Sequence, residues 1–288
     1  MIDTRETAVI FEGGGMRNSY TAAAVVTLIE EGVQFGWVGG VSAGSSHTVN
    51  YLSGDAWRAK QCFVDFANNP SFGGVSSLLR GTGYFNAEFI YENSGEDLPF
   101  DYDAFRANPA AMNLSATRAD TGEPVYFTRE DIRVEKDVNT FVRASSTLPL
   151  IMPTVLIDDI PYVDGALGEH GGISINQAEA AGYEKFLFIG TKPRDYVRPE
   201  VSRPSVVRRL FRRTPAVAEA MIARPGRYNA SKQRLLDLEA QGRAQLFFPD
   251  AMGVSSTERN VAKLRANFAA GEKQVAAEWP AWEEFLAG

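Results

Sequence analysis

The run Gly40-Val41-Ser42-Ala43-Gly44 constrains this chain more than any other stretch. It has the GxSxG spacing, it ends an apolar segment over residues 35–41, and it opens a helical pattern. The pattern predicts a sharp strand-to-helix turn that lifts one serine hydroxyl clear of its neighbours. Glycines two residues before and two after leave room where a side chain would clash with the turn. The helix that follows aims its free N–H groups and positive dipole end at the place where an acyl oxyanion develops. Ser42 is therefore the candidate nucleophile, with Gly40 and Gly44 as its supports. In a chain with 26 glycines the same five residues also fit a Gly/Ser turn without chemistry, so the context has to decide.

Upstream, Ala8-Val9-Ile10-Phe11 reads as a short buried strand running into Glu12-Gly13-Gly14-Gly15-Met16-Arg17-Asn18. A strand, a glycine loop and then a helix form an anion-binding arrangement, because the loop backbone approaches a ligand closely and the helix start presents unpaired N–H groups. Ala23, Ala24, Val25, Leu28 and Ile29 have core spacing for that helix, and Gly32 stops it. Two readings compete. Gly13 and Gly15 match the first two positions of a GxGxxG dinucleotide fingerprint, but Asn18 stands at the third and no acidic residue ends a second strand at the expected distance. The other reading, an oxyanion loop serving Ser42 from the neighbouring strand, agrees with a GxSxG that comes one helix and one strand later.

Further on, residues 155–158 and 160–165 look like two strands, the second ending at Asp164-Gly165. A side chain at a strand end can point into an active-site crevice, although Asp-Gly is also a hairpin signal. Residues 112–117 and 125–127 read as a hairpin, residues 141–147 as a short helix, and Phe186-Leu187-Phe188-Ile189 as a strand covered on both faces. The stretch 72–99, rich in glycine and aromatics, fits a lid, a substrate wall or a long connection packing its own rings. In the tail, residues 228–238 read as one helix. A second helix follows Ser255-Ser256-Thr257-Glu258, read as a capping box, and residues 244–248 read as a strand returning to the main sheet.

The 288 residues suit one large α/β unit with an appended segment. A net charge of −7 argues against a nucleic-acid partner. The start lacks a basic n-region before an apolar one, and no stretch reaches about 18 uninterrupted apolar residues, so a soluble, cytoplasmic protein is expected. Cys62 is the only cysteine, and His47 and His170 are the only histidines, so no metal site is expected. His47 lies more than a helical turn beyond Ser42 and reads as a packing residue. His170 is the rival base, in a glycine-flanked loop after Asp164. The basic stretch 192–213 interleaves Arg208, Arg209, Arg212 and Arg213 with Val206, Val207, Leu210 and Phe211. It fits either a solvated helix face or peripheral contact with an anionic membrane.

Together, Gly13-Gly14-Gly15-Met16-Arg17, Gly40-Val41-Ser42-Ala43-Gly44 and Asp164-Gly165-Ala166, in that order, resemble the patatin-like phospholipase family. The similarity extends through Ala144-Ser145-Ser146-Thr147-Leu148-Pro149, and the tail looks like the C-terminal extension of a bacterial subgroup. The resemblance implies a three-layer α/β/α fold with a mainly parallel sheet, a catalytic domain over 6–192 and a mostly helical extension over 193–288. It implies a dyad of Ser42 and Asp164, an oxyanion hole from Gly13, Gly14, Gly15, Met16 and Arg17, and a supporting role for Gly165. The implied activity is hydrolysis of lipid acyl esters without metal or cofactor. A lipid-binding or regulatory protein with a vestigial elbow is the alternative. Asn18 departs from the glycine usual there, and asparagine is among the residues best tolerated at positive φ.

Overall fold

The computed structural model describes residues 2–74, 77 and 81–288, so positions 75, 76 and 78–80 of the 72–99 stretch lie outside the described residues. Its strands are β1 (Ile2–Phe11), β2 (Val33–Val41), β3 (Ala111–Arg118), β4 (Pro124–Phe127), β5 (Val155–Ile157), β6 (Ile160–Asp164), β7 (Lys185–Ile189) and β8 (Ala244–Phe247). They form one sheet in the order β5-β6-β3-β2-β1-β7-β8, with β4 paired to β3. The β3-β2-β1-β7-β8 block is parallel, while β4 and β6 join β3, and β5 joins β6, in the antiparallel sense.

Parallel strands covered on both faces need apolar residues at consecutive positions, which is what Ala8-Val9-Ile10-Phe11 and Phe186-Leu187-Phe188-Ile189 supply. Alternate residues then feed two cores. Val9, Phe11, Leu187, Ile189 and Phe247 enter the larger one, and Ala8, Ile10, Phe186, Phe188 and Leu246 the other. Helices α1 (Asn18–Glu30), α2 (Ala43–Leu52), α3 (Ala56–Gln61), α4 (Ala87–Glu92), α5 (Tyr102–Ala107) and α6 (Glu135–Ser146) contribute to the larger core. Helix α7 (Ile175–Ala180) lies on the smaller one. Helices α8 (Pro204–Leu210), α9 (Pro215–Ala240) and α10 (Val261–Ala287) belong to the tail. Helix α9 covers the smaller core through Tyr228, Leu235 and Leu238, and α10 covers the larger through Leu264, Phe268 and Trp282. Gly271 lets α10 lie directly on α1, since a Cβ there would stand 2.3 Å from the Tyr20 carbonyl oxygen. The result is a mixed α/β fold with helices on both faces of the sheet. No helix among the described residues is long and apolar enough to cross a membrane.

Three local expectations differ from the structure. The helix expected over 228–238 spans Pro215–Ala240. Pro215 stands in its first turn, where a missing N–H costs nothing, and Pro225 is buried inside it. Residues 255–258 are not the cap of α10. Asn260 caps it, its Oδ1 accepting from the Lys263 N–H at 3.1 Å, while the Glu258 carboxylate accepts from the Arg259 and Asn260 N–H groups, both at 2.9 Å. The hairpin turn in this part of the sheet is Asp158-Asp159, both at positive φ (51° and 62°), and Asp164-Gly165 instead leads into a 3-10 turn, Gly165–Leu167.

Candidate active site

The site forms where two strands meet end to end. Residues 114–117 of β3 pair with β4, so the opposite edge of β3 is shared by β2, opposite residues 111–115, and β6, opposite residues 116–118. Val41 stands opposite Ser115 and Asp164 opposite Ala116. Because β2 and β6 run in opposite senses, their C-terminal ends abut, and the next side chain of one meets the last of the other. The Ser42 side chain therefore lies next to the Asp164 carboxyl, close enough to pull its pKa down. The close approach of strands here leaves no room for a Cβ on Gly165, which would stand 2.0 Å from the Ser115 carbonyl oxygen.

Ser42 has φ 56° and ψ −129°, a strained conformation for a non-glycine residue and the mark of an elbow. Packing holds it there. A Cβ on Gly40 would lie 2.2 Å from the Gly44 carbonyl oxygen, and one on Gly44 would lie 2.2 Å from that of Phe11, so β1 runs directly under the start of α2. The Ser42 N–H donates to Oγ of the buried Ser145 on α6 at 2.9 Å, a clamp that the motif alone does not disclose. The sequence signal for it is the Ala144-Ser145-Ser146 segment, which does not by itself mark Ser145.

Asp164 is buried, 2% exposed. Its Oδ1 accepts from the Ala166 N–H at 2.8 Å, and its own N–H donates to the Thr147 carbonyl at 2.8 Å. Burial raises its pKa above the ordinary carboxylate value, against the opposing pull of Arg224, of the nearby Ser42 side chain and of the Ala166 N–H. A carboxylate so placed is a stronger base than one in water.

The glycine loop lies against the elbow, for a Cβ on Gly13 would stand 2.8 Å from Cβ of Ser42. Glu12, buried, accepts from the Thr191 N–H at 2.6 Å, and Thr191 Oγ1 donates to the Gly13 carbonyl at 2.9 Å. These bonds tie the loop to the end of β7. Two of the expected oxyanion donors are already engaged. The Met16 N–H donates to the Ser256 carbonyl at 3.0 Å, and the Arg17 N–H to that of Gly14 at 3.3 Å. The N–H groups of Gly13, Gly14 and Gly15 have no such partner among the described residues. Asn18 also departs from expectation. It has φ −66°, an ordinary helical value, and its Nδ2 donates to the Gly15 carbonyl at 3.1 Å, so the loop requires no positive φ at that position.

An apolar cavity opens beside Ser42, about 830 Å³ of free space partly open to solvent. Met16, Val49, Phe63, Phe85, Val142 and Met152 are among its lining residues. Phe72, Phe85, Ile90, Tyr91 and Leu98 make the described part of the 72–99 stretch a wall of this cavity.

Neither histidine bonds to the pair. His47 is buried between Phe11 and Phe63, its Nε2 is 3.0 Å from Thr21 Oγ1, and burial lowers its pKa to about 3. His170 is buried too, and its Nδ1 accepts from the Gly172 N–H at 3.1 Å. Burial, and then Arg224 and Arg227, lower its pKa to about 3. Both rings are neutral at physiological pH. Among the described residues no group of three or more His, Cys, Asp or Glu side chains is arranged to hold a metal ion.

A search of curated proteins returned no match. Among solved structures, the crystal structure of VipD from Legionella pneumophila superposes with a TM-score of 0.47 at 9% identity. The match covers 95% of this chain, which spans 66% of the length of the VipD chain. A family model described as Domain of unknown function (DUF6363) matches residues 214–287. The model of the Patatin-like phospholipase family matches residues 9–174, more than half of the chain and all of the strands that meet at Ser42 and Asp164. The chain belongs to the patatin-like phospholipase family.

Proposed function

We propose that this protein is a serine hydrolase of lipid acyl esters, with Ser42 as nucleophile, Asp164 as base and the N–H groups of Gly13, Gly14 and Gly15 as oxyanion donors. The observation that carries the reading is the head-to-head meeting of β2 and β6, which brings Ser42 on its strained elbow next to a buried Asp164. Ser42 Oγ attacks the ester carbonyl carbon as its proton passes to Asp164, and the carbonyl oxygen takes up the negative charge beside the glycine loop. The tetrahedral intermediate collapses, the C–O bond to the alcohol breaks, and Asp164 returns the proton to the leaving alkoxide. Water then repeats the sequence on the acyl-enzyme, with Asp164 taking the water's proton, and the carboxylic acid leaves. This chemistry calls for no metal or cofactor. The apolar cavity suits the acyl chain. Residues 6–192 would be the catalytic part and 193–288 its extension.

Ester hydrolysis of p-nitrophenyl butyrate and labelling by a fluorophosphonate probe test this reading. Both should be lost in Ser42→Ala, and Asp164→Asn should lose nearly all turnover while His170→Ala keeps most of it. Labelling of wild type and Ser42→Ala alike would end the proposal.

Peripheral membrane contact belongs to the same proposal. Val206 and Leu210 of α8 are 55% and 58% exposed, Arg209, Arg212 and Arg213 are exposed beside them, and Phe211 anchors the segment in the protein. Arg208 is paired with Glu219, Nε to Oε1 at 2.6 Å, and contributes less. Co-sedimentation with vesicles containing phosphatidylglycerol should fall when Arg209, Arg212 and Arg213 become glutamine, and should weaken with salt. Unchanged sedimentation would remove the contact.

A further inference from the structure

We infer that Arg17, Lys192, Arg198 and Arg224 form an anion subsite beside the Ser42–Asp164 pair, one that takes a phosphate-bearing group. None of the four lines the apolar cavity, so the subsite lies outside the space suited to the acyl chain. Calling it the head-group end of a lipid site rests on the hydrolase reading above, whereas anion binding itself does not.

Lys192, Arg198 and Arg224 are each held in place by a separate contact, and Arg17 by its place in the turn after the glycine loop. Arg17 follows the glycine loop in the turn Gly15–Arg17, and its Nε is buried with no hydrogen-bond partner. Lys192 follows Thr191, which is bonded to both Glu12 and Gly13, and its Nζ lies 4.4 Å from the Tyr196 ring centre. Arg198 is clamped by Asn229 of α9, whose Oδ1 accepts from the Arg198 N–H at 2.9 Å and whose Nδ2 donates to the Arg198 carbonyl at 3.0 Å. Its guanidinium carbon lies 4.6 Å from the Tyr228 ring centre, and its Nε is also buried without a partner. Arg224 donates from Nε to the Gly171 carbonyl at 3.2 Å. A Cβ on Gly172 would stand 3.8 Å from Arg224 Nη2 and 3.3 Å from Cβ of Ala166, so this guanidinium borders the loop that begins at Asp164.

The charge does not balance. Among the described residues none of the four cations makes an ion pair within 4 Å. The carboxylates within their reach are Glu12 and Asp164. Glu12 already accepts from the Thr191 N–H and Asp164 from the Ala166 N–H. Arg227, which donates to the Leu167 carbonyl at 2.9 Å, adds to the excess. Burial lowers the pKa of Arg17, Lys192 and Arg224, and repulsion from Arg198 lowers all three further. Lys192 and Arg198 both lie against the Tyr196 ring, Arg198 lies over Tyr228, and Tyr228 packs on Gly171, whose carbonyl takes Arg224. Guanidinium and ammonium groups linked in this way, with the Nε of Arg17 and Arg198 unspent, match the several oxygens of a phosphate better than the two of a carboxylate. Lys192, Arg198 and Arg224 all lie outside the family match over residues 9–174, and Arg224 lies within residues 214–287. The inference thus gives the C-terminal region a part in the site.

Binding to Ser42→Ala protein tests this without turnover, using thermal shift and calorimetry with three ligands: inorganic phosphate, dihexanoyl phosphatidylglycerol and neutral dihexanoylglycerol. Either phosphate-bearing ligand should raise the melting temperature in a salt-sensitive way. Adding Arg198→Gln or Arg224→Gln should weaken that binding about tenfold each, the worth of one charge-assisted contact. A preference for the phospholipid over the neutral diglyceride places a lipid head group there. Inorganic phosphate binding without that preference places a free phosphate there, and both outcomes support the subsite. Absence of binding by either phosphate-bearing ligand overturns it, as does binding that Lys192→Gln, Arg198→Gln and Arg224→Gln together leave unchanged in a protein with native circular dichroism. If the glutamine variants do not fold, loss of the phosphate-induced shift in the Ser42→Ala protein on raising salt from about 50 to about 500 mM, from weak to strong screening, is the readout. A shift unchanged by salt then overturns the subsite. Should wild-type protein hydrolyse no ester yet bind phosphate through these residues, the hydrolase reading fails and the subsite stands.

Discussion

Ser145→Ala is the sharpest test of how the nucleophile is held. The Ser145 hydroxyl accepts the Ser42 N–H at 2.9 Å in a fully buried setting, and the alanine keeps every other atom of the side chain. Removing one acceptor leaves a buried N–H unsatisfied, which costs roughly 1–3 kcal/mol. The conformation it restrains is itself strained, since a non-glycine residue at φ 56°, ψ −129° carries about 1–3 kcal/mol of backbone strain. The clamp and the strain are thus of similar size. Without the clamp, the elbow shares its time with relaxed conformations in which Ser42 Oγ no longer points at Asp164 or the glycine loop. A displacement of about 1 Å from attack geometry costs on the order of a hundredfold in rate.

The expected outcome is a kcat for p-nitrophenyl butyrate lower by about 10- to 100-fold with KM little changed, because the cavity does not include Ser145. The melting temperature should fall by about 2–4 °C for each kcal/mol lost. Thr140→Ala is the control. It lies on the same helix, its hydroxyl bonds only within that helix at 2.9 Å, and both quantities should stay near wild type. A folded Ser145→Ala protein with kcat within twofold of wild type, or one altered only in KM, would refute the clamp.

Three other predictions concern Asp164 and the β5–β6 turn. Burial raises the Asp164 pKa, so the folded state binds its proton more tightly than the unfolded chain does. Its contribution to stability is therefore greatest below the unfolded carboxylate pKa and is lost as pH rises through the folded one. Asp164→Asn should accordingly melt higher than wild type near pH 7, with the gap closing on acidification, and a constant gap across pH would contradict the burial argument. The same shift should put the acid limb of kcat/KM above about pH 3.9, and a limb at or below that value would count against Asp164 as base. In the turn, Asp159 is exposed at φ 62°, a region that favours glycine. Asp159→Gly relieves a left-handed conformation worth about 1–2 kcal/mol against roughly 0.4–1 kcal/mol of added unfolded-chain entropy, so it should stabilise by less than about 1 kcal/mol without altering activity, and a lower melting temperature would show that the aspartate does more than turn the chain.

What could be read from the sequence were features whose cause is local. Apolar residues at four consecutive positions, as in Ala8-Val9-Ile10-Phe11, have one reason to exist, and β1 and β7 are indeed covered on both faces. The glycines around Ser42 report a close approach to neighbouring backbone, so their spacing disclosed the elbow before any strand order was known. Local signals misled where a distant partner decided the matter. The helix expected over 228–238 begins instead at Pro215, and burial of Tyr228, Leu235 and Leu238 in the smaller core carries α9 through Pro225. Ser255-Ser256-Thr257-Glu258 has the composition of a cap, yet Ser256 faces the glycine loop and its carbonyl takes the Met16 N–H. That bond shows why donors are harder to read than nucleophiles. A serine on an elbow is exposed by its own turn, whereas an N–H in a glycine loop is available only if nothing elsewhere in the chain has bonded to it. The pairing of Ser42 with Asp164 follows the same logic. It depends on β2 and β6 sharing one edge of β3, with β4 occupying the other, and on the head-to-head meeting that this edge imposes. Residue types at two strand ends can suggest such a pair, but the register of a third strand brings them together.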